Sequence, residues 1–238
     1  MSSRLQKTAA RERHILDSAW GLVETDGFLA LKISELAKIA GVSIGTLYVH
    51  FESKEDLITA MAMDAWRDLE QILVQALDID GSPVQRLLAF SILNHRFNIK
   101  FPVRFEAMQL AGVPSIWQRA SLRRHQQLPE SCEAFEGRLA PVIREAIETG
   151  ELHQEADLKT QIDAFGHGLW AVNMGNAYIT YVFTPEAMRE AHMERLQRDV
   201  RRHVLALYQG YGWHPADPDA EYAEVAARCA RLRPEYFE

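Results

Sequence analysis

Apolar residues recur at helical spacing along almost the whole chain. The first set runs from Ile15 to Val23, and Gly27 follows it as a glycine suited to end a helix. A second set stops at Gly41. We find no run of alternating apolar residues bounded by turn pairs, which is the pattern typical of a strand. The chain is therefore predicted to be all-α.

Short motifs mark where the predicted helices begin. The stretch Ser53–Asp56 is a capping-box pattern that opens a long helix. Ser82 can cap the next helix, and Pro83 suits its first turn. In the second half of the chain we expect helices from about Pro129 to Thr149, from Asp157 to about Phe183, from Pro185 to Tyr208 and over Ala220–Leu232.

Residues 33–51 have the pattern of a helix-turn-helix motif. Gly41 supplies the positive φ that ends the first helix in a tight turn. Ser43 can cap the second helix with its hydroxyl and leave that N-terminus free to approach a phosphate. Leu47 and Phe51 lie four positions apart and are expected to anchor the second helix to the core.

The outward face of this second helix has residue types suited to the major groove of DNA. Gly45 allows close approach of the backbone, and Thr46 can bond a base edge or a phosphate. Tyr48 and His50 can donate to phosphate oxygens, and Lys54 can reach the DNA backbone. Taken singly, each of these side chains also fits ordinary packing or a solvated position. The predicted DNA-contacting set is Lys32, Ser43, Ile44, Gly45, Thr46, Tyr48, His50 and Lys54.

The stretch Gly27–Leu57 resembles the TetR/AcrR family of bacterial repressors, and the resemblance covers about residues 10–58. It implies a three-helix DNA-binding head and an all-helical body that dimerises and binds a small effector. The implied domains are a head over 1–56 with a basic N-terminal arm, a ligand-binding and dimerisation domain over 57–213, and a C-terminal extension of unknown role over 214–238.

The chain departs from this family at Lys32. Members of the family usually have a threonine at this position, which caps the helix and meets a phosphate, whereas a lysine side chain cannot cap. Two interpretations stay open: Lys32 reaches a phosphate as a point charge, or it is a solvated lysine.

Charge is distributed unevenly along the 238 residues. The chain has 26 Lys and Arg against 33 Asp and Glu, a net charge of −7. The first 55 residues are neutral overall, so residues 56–238 carry the whole excess of acidic groups. A basic tip suits the DNA backbone, although frayed basic termini are common in cytosolic proteins. The tip consists of Arg4, Lys7, Arg11 and Arg13.

Other signals argue against several classes of protein. Two distant cysteines, Cys132 and Cys229, favour a reducing compartment over a disulfide framework. No apolar run approaches the roughly 20 residues needed to cross a bilayer, and no signal peptide is evident. We therefore expect a cytoplasmic protein without membrane contact. Asp163 and His167 lack the further ligands that a metal site needs, and no catalytic constellation emerges. We therefore expect a protein that is not an enzyme and that needs neither a metal nor a cofactor.

The predicted body contains aromatic and polar residues that suit an effector pocket among its central helices. The aromatic side chains supply contact area, while Asn173 or Arg104 could fix the orientation of a ligand. Most of them also fit a plain core, and Arg104 fits a surface ion pair. An apolar or aromatic effector is expected. The predicted ligand-binding set is Phe97, Phe101, Arg104, Phe105, Met108, Trp117, Trp170, Asn173, Met174 and Tyr178.

A face with small residues is expected to form the dimer contact. Gly168, Val172 and Gly175 share one side of the predicted 157–183 helix, and the family packs its last two long helices as a four-helix bundle. The protein is predicted to be a homodimeric repressor. It is expected to bind a pseudo-palindromic operator in double-stranded DNA and to be released from it by a small effector. Two alternatives stay open: a body that binds a protein partner, and an all-α enzyme, for which we cannot assemble converging titratable groups.

Overall fold

The computed structural model describes residues 3–181, 184 and 186–237, with the backbone alone at residues 3–5, 186 and 190. Every regular element within these ranges is a helix, which confirms the predicted all-α class. The elements are α1 (Ser3–Ala30), α2 (Ile33–Ile39), α3 (Ile44–His50), α4 (Lys54–Leu77), α5 (Pro83–Lys100), α6 (Pro102–Ala111), α7 (Pro114–Trp117), α8 (Leu122–Glu148), α9 (Leu158–Tyr181), α10 (Glu186–Gly210), α11 (Pro218–Leu232) and a 3₁₀ turn (Pro234–Tyr236).

The helices form two compact units. The first unit consists of the chain up to Asp68 together with Pro102–Ser131, and the second consists of Leu69–Phe101 together with the chain from Cys132 onward. In the first unit α1 packs against α2 and α6, and α2 packs against α3. The core of this unit is apolar, and its buried side chains include Ile15, Trp20, Leu36, Leu47 and Phe51.

The carboxylate of Asp64, in α4, lies inside the first unit and is only 4% exposed. It accepts hydrogen bonds from Arg13 at 2.5 Å, from the indole N–H of Trp20 at 2.9 Å and from Arg67 at 2.8 Å. The guanidinium of Arg104 lies 3.9 Å from the same carboxylate. Because Arg13 and Trp20 belong to α1 and Arg104 belongs to α6, this one side chain ties three helices together.

Several charges share this site, and their contacts determine how Asp64 titrates. Burial by itself raises the pKa of the Asp64 carboxyl, but hydrogen bonds from Arg13 and Trp20 and the charges of Arg13 and Arg67 outweigh it, so that the pKa lies below its ordinary value. Arg104 also packs over the Trp20 ring, 4.6 Å from its centroid. The carboxylate is therefore charged in the folded protein.

A second set of ion pairs explains why α8 begins earlier than the sequence pattern predicts. We expected this helix to start near Pro129, but it begins at Leu122. Its first turn includes Arg124, a buried side chain that donates to Glu12 at 2.9 Å. The backbone N–H of Ser121 donates to Asp56 at 2.9 Å. These partners are distant in sequence, so local spacing could not indicate them.

Two prolines begin short helices in the middle of the chain. Pro102 opens α6 and Pro114 opens α7. Pro129, in contrast, lies inside α8, where it removes one backbone donor without ending the helix. The predicted stop is confirmed: α8 ends at Glu148, and Gly150 has a φ of 78°.

In the second unit, α5 is the central helix and contacts α9, α11 and the 3₁₀ turn. The predicted cap at its start is confirmed, because Ser82 and Gln85 form a reciprocal capping box with Pro83 in the first turn. The carboxylate of Glu151 accepts a further hydrogen bond from the Ser82 hydroxyl at 2.6 Å. The side chains of Leu87, Leu88, Leu93 and Phe97 are fully buried along α5.

The helices α9 and α10 pack against each other within the second unit. Asp157 caps α9 by accepting from the Thr160 N–H at 3.1 Å, and the helix begins at Leu158, close to its predicted start. The predicted end of this helix near Phe183 and the predicted first residue of the next, Pro185, lie outside the described residues. The C-terminal stretch predicted as helical is α11, whose side chain at Val225 is fully buried.

One glycine of the face that we expected to contact a second copy already packs against another helix of the same chain. A Cβ atom added to Gly168 would lie 2.8 Å from a methyl carbon of Leu207, in α10. The small residue at 168 therefore serves the packing of α9 on α10 in the same chain. This finding corrects the expected role of Gly168.

We predict that Asp64→Asn lowers the free energy of unfolding by about 3 kcal/mol, because it removes the charge of a buried carboxylate that Arg13, Trp20 and Arg67 surround with hydrogen bonds. The pKa of Asp64 is lowered in the folded state, so its stabilising contribution is complete above the ordinary value of 3.8 and is lost as the pH falls below it. Urea unfolding at pH 7 and at successively lower pH measures both effects.

The matched control for this prediction is Asp17→Asn. Asp17 also pairs with Arg13, at 2.5 Å, but its side chain is 58% exposed. We expect this variant to cost less than about 1 kcal/mol. Equal losses in the two variants, or an unchanged acid sensitivity in Asp64→Asn, would contradict the central role of the buried carboxylate.

Candidate functional site

The segment from α2 to α3 has the geometry predicted for a helix-turn-helix motif. Gly41 has a φ of 62°, which a side chain would disfavour, and it lies in the turn between the two helices. The N–H of Val42 donates to the carbonyl of Ala37 at 2.9 Å, the long bond typical of a glycine-terminated helix end. The turn is therefore defined by hydrogen bonds as well as by the glycine.

Ser43 caps α3, as the sequence predicts. Its hydroxyl oxygen accepts from the N–H of Thr46 at 3.0 Å and lies 2.8 Å from the Thr46 hydroxyl oxygen. The second contact was not predicted, and it fixes the Thr46 side chain against the cap. Both residues belong to the first turn of the helix, where unpaired backbone N–H groups favour negative charge.

The side chains of α3 separate clearly into an inner and an outer face. Leu47 is fully buried, and so is Phe51 directly after the helix, which confirms their predicted anchoring role. On the outer face Ile44 and Tyr48 are about half exposed, at 48% and 47%. Gly45 is exposed as well, while Thr46 and His50 are half-buried. The inner anchors thus hold the outer residues in a fixed orientation.

One apolar residue of this surface was missed in the sequence analysis. Val49 is 81% exposed, although it lies within α3 between two predicted contact residues. The signal was present, because Val49 follows the buried Leu47 by two positions and must point away from the core. An exposed valine is a residue type that can contact the methyl group of thymine in a major groove.

The two predicted lysines differ in their surroundings. Lys32 directly precedes α2, is exposed and makes no capping hydrogen bond, consistent with either interpretation of this position. The ammonium of Lys54 lies 3.4 Å from the carbonyl oxygen of Phe28 and the side chain is half-buried. A phosphate contact by Lys54 stays a prediction, and it would be made from a side chain that already has a partner.

The basic tip is less available to DNA than its composition suggests. Arg13 is bound to Asp17 and Asp64, and these hydrogen bonds raise its pKa. Lys7 and Arg11 are exposed. The side chain of Arg4 lies outside the described part of the chain.

Four of the ten predicted ligand-binding residues belong to the first unit. Arg104 donates to Asp68 at 2.5 Å. It therefore forms an ion pair, which was the alternative to its predicted ligand-binding role. Phe105 is buried, Met108 packs against the core of the unit, and the ring of Trp117 lies 4.5 Å from that of His125.

The other six predicted ligand-binding residues belong to the second unit, and two of them are in ring contact. The centroids of Phe97 and Phe101 are 5.1 Å apart. Asn173 is buried and donates to Ser91 at 3.5 Å, whereas Trp170 is 65% exposed. Met174 and Tyr178 are half-buried. A pocket assembled from all ten residues stays a prediction, and none of them lines either of the two cavities described within the units.

Two properties of the described ranges bear on other kinds of function. No helix there is both long enough and apolar enough to cross a membrane. No group of three or more His, Cys, Asp or Glu side chains in the same ranges is arranged to hold a metal ion.

Residues 15–61 match the sequence model of a protein family, the bacterial regulatory proteins of the tetR family. These residues cover the helix-turn-helix motif. The fatty acid metabolism regulator protein of Bacillus subtilis (strain 168) is 22% identical over 150 residues, 61% of this chain and 72% of that protein. The HTH-type transcriptional regulator AcrR of Shigella flexneri is 24% identical over 224 residues, 88% of this chain and 94% of that protein.

A solved structure, that of RolR in complex with resorcinol, shares the fold of the whole chain. The TM-score is 0.59 at 19% sequence identity, with 94% of this chain and 96% of that chain covered. The likeness therefore extends from the helix-turn-helix motif through the helical remainder.

We predict that Ser43→Ala lowers the free energy of unfolding by about 1 kcal/mol, because it removes the side-chain cap of α3 and frees the Thr46 hydroxyl. Ser34→Ala is the control, since Ser34 is an exposed serine inside α2 and should change stability by less than about 0.5 kcal/mol. Urea unfolding of the two variants measures the difference. If they are equally stable, Ser43 does not act as a cap.

Proposed function

Because residues 15–61 match the tetR family of bacterial regulatory proteins, we propose that this chain is a transcriptional repressor of that family. In this proposal a homodimer binds a pseudo-palindromic operator in double-stranded DNA, and a small apolar or aromatic effector releases it. The observation that carries the proposal is the outer face of α3, where Ile44, Tyr48 and Val49 are exposed on a helix whose inner face is fully buried.

This outer face supports reading of base edges in addition to binding of phosphates. The capped N-terminus of α3 suits a phosphate, which would fix the position of the helix on the duplex. The Thr46 hydroxyl is held against Ser43, so it can contact a base edge without first losing much rotational freedom. Ile44 and Val49 offer apolar contact to thymine methyl groups.

An exposed apolar surface on α9 and α10 supports dimerisation. Trp170 is 65% exposed, Ile179 is 40% exposed and Met188 is 47% exposed. Large exposed apolar side chains on two helices that pack together are residues that a second copy of the chain could cover. We assign this surface to a second copy of the chain, which gives Trp170 a role in the dimer in place of its predicted role in the effector pocket. Two heads would then enter successive major grooves about 34–36 Å apart.

The effector would act by binding more tightly to the protein conformation that does not fit the operator. The structural relative RolR was solved with resorcinol, a small aromatic molecule, which supports an aromatic effector for this chain. Among the predicted residues, the neighbouring rings of Phe97 and Phe101 suit such a ligand.

The test of this function is selection of bound duplexes from a random DNA pool with the purified protein at near-physiological salt. We expect enrichment of a two-fold-symmetric site. On that site, Thr46→Ala should weaken binding about tenfold while leaving affinity for unrelated DNA nearly unchanged, because base contacts carry the specificity. Electrophoretic mobility shifts on the two DNAs measure the ratio.

Thr25→Ala is the matched control, since Thr25 is an exposed threonine of α1 whose hydroxyl donates within its own helix. It should bind both DNAs as the parent protein does. An equal loss on both DNAs in Thr46→Ala would contradict base reading by Thr46. Failure to enrich any site, with the protein folded and dimeric, would contradict operator binding.

We predict that Trp170→Arg converts the dimer to a monomer at micromolar protein concentration, because it replaces an apolar side chain assigned to the interface with a charge that would be buried there. Sedimentation velocity measures the change. Leu232→Arg is the control: Leu232 is 41% exposed but lies on α11, and the variant should stay dimeric. A dimer that persists in Trp170→Arg would assign the exposed surface to another partner.

A further inference from the structure

The second unit contains a cavity of about 340 Å³ between α5, α10 and α11. Its apolar wall includes Ile92, Val200 and Phe237, and its polar wall is basic, with Arg96, Arg198, Arg201 and the single carboxylate of Glu194. The volume is that of a small-ligand pocket. None of the residues predicted to bind the effector lies in this lining.

A buried histidine in the lining is without a partner. His95 is only 6% exposed, and neither ring nitrogen has a hydrogen-bond partner among the described residues. Burial and the charge of Arg96 lower its pKa to about 4, so the ring is neutral and offers one donor and one acceptor. A buried polar group without a partner is destabilising, and a bound ligand with polar groups would offset that cost.

Two of the three arginines also lack an acidic partner. Arg201 pairs with Asp219 at 3.2 Å, but neither Arg96 nor Arg198 has a carboxylate within 4.0 Å among the described residues. Burial lowers the pKa of Arg96, as expected for a cation withdrawn from water without a counter-ion. The guanidinium of Arg96 instead lies 4.5 Å from the centroid of the Phe237 ring.

The C-terminal extension supplies one wall of the cavity. Tyr222 and Ala226 of α11 belong to the lining, together with Phe237 after the 3₁₀ turn. Burial raises the pKa of Tyr222 to about 12, so its hydroxyl is protonated and can donate. The extension thus adds an aromatic surface and a hydroxyl to the basic residues of α5 and α10.

We propose that this cavity binds a small organic anion with an aromatic or apolar body. Arg96 and Arg198 hold the charged group, which is a carboxylate or a phosphate monoester, and His95 supplies a further hydrogen bond. The ring of Phe237 covers the apolar body of the ligand. This inference does not depend on DNA binding or on the effector, and it gives residues 214–238 a role in ligand binding.

Isothermal titration calorimetry of the full chain tests the proposal with three probes of one shape. These are naphthalene-2-carboxylate, 2-naphthyl phosphate and the uncharged naphthalene-2-carboxamide. We expect at least one anion to bind with a Kd below about 1 mM and the carboxamide to bind at least about tenfold more weakly. The stronger of the two anions distinguishes a carboxylate from a phosphate site. Equal binding of the carboxamide, or no saturable binding of either anion, would overturn the proposal.

Two substitutions locate the binding. Arg198→Gln should lower the affinity for the anion at least about tenfold, because it removes from the lining a cation that has no carboxylate partner among the described residues. Arg198 is exposed, so the variant is expected to fold. Arg202→Gln, an exposed arginine of α10 that is absent from the lining, should bind the anion within about twofold of the parent protein. Parent-like affinity in Arg198→Gln would place the anion elsewhere, for example in an effector pocket, and would overturn the assignment.

Phe237→Ala separates the role of the extension from that of the arginines. This variant should lower the affinity for the aryl anion several-fold and leave the affinity for inorganic phosphate unchanged, because it removes apolar contact and no charge. An unchanged affinity for the aryl anion would show that the extension does not cover the ligand. Inorganic phosphate that binds the parent protein as tightly as the aryl anions do would exclude a role for the apolar wall.

Discussion

The first unit depends on one carboxylate that is withdrawn from water. Asp64 can remain charged in the interior only because Arg13, Arg67 and the Trp20 indole donate to it, and each donor therefore has to keep its position. These donors belong to α1 and α4, and Arg104 adds α6 to the same charge cluster. An apolar contact would tolerate a sliding helix, whereas directional hydrogen bonds to one carboxylate do not. The relative placement of three helices is thus set by the geometry of a single group.

The outer face of α3 is held in place by the same core. The inner face of α3 is anchored by Leu47 and Phe51 in the same core that contains Trp20, and the cap at Ser43 fixes the first turn. A short helix of 7 residues is not stable by itself. Its conformation therefore comes from the unit that supports it, and any ligand that changed the packing of α6 against α1 would act on the same elements.

Local sequence patterns sufficed for elements whose causes are local. The turn at Gly41, the caps at Ser43 and Ser82 and the anchors Leu47 and Phe51 all follow from neighbouring residue types. The early start of α8 was missed because it depends on ion pairs with Glu12 and Asp56, more than sixty residues away. The placement of Gly168 was misjudged for a similar reason: a small residue permits close approach, but the pattern does not say which helix approaches. The unpaired arginines of the second unit are equally invisible, since isolation of a charge is a property of the fold.

The ion pairs of Arg13 reduce the positive charge that the N-terminal arm can offer to DNA. Each phosphate that a protein neutralises releases condensed counterions, and the logarithm of affinity then falls with the logarithm of salt concentration by about 0.9 per contact. Arg13 already has two carboxylates as partners, so it brings no uncompensated charge to the duplex. Lys7 and Arg11 remain available. The salt sensitivity of the proposed DNA complex is therefore smaller than the number of basic residues in the arm would suggest, and the protein would keep more of its affinity when the ionic strength of its surroundings rises.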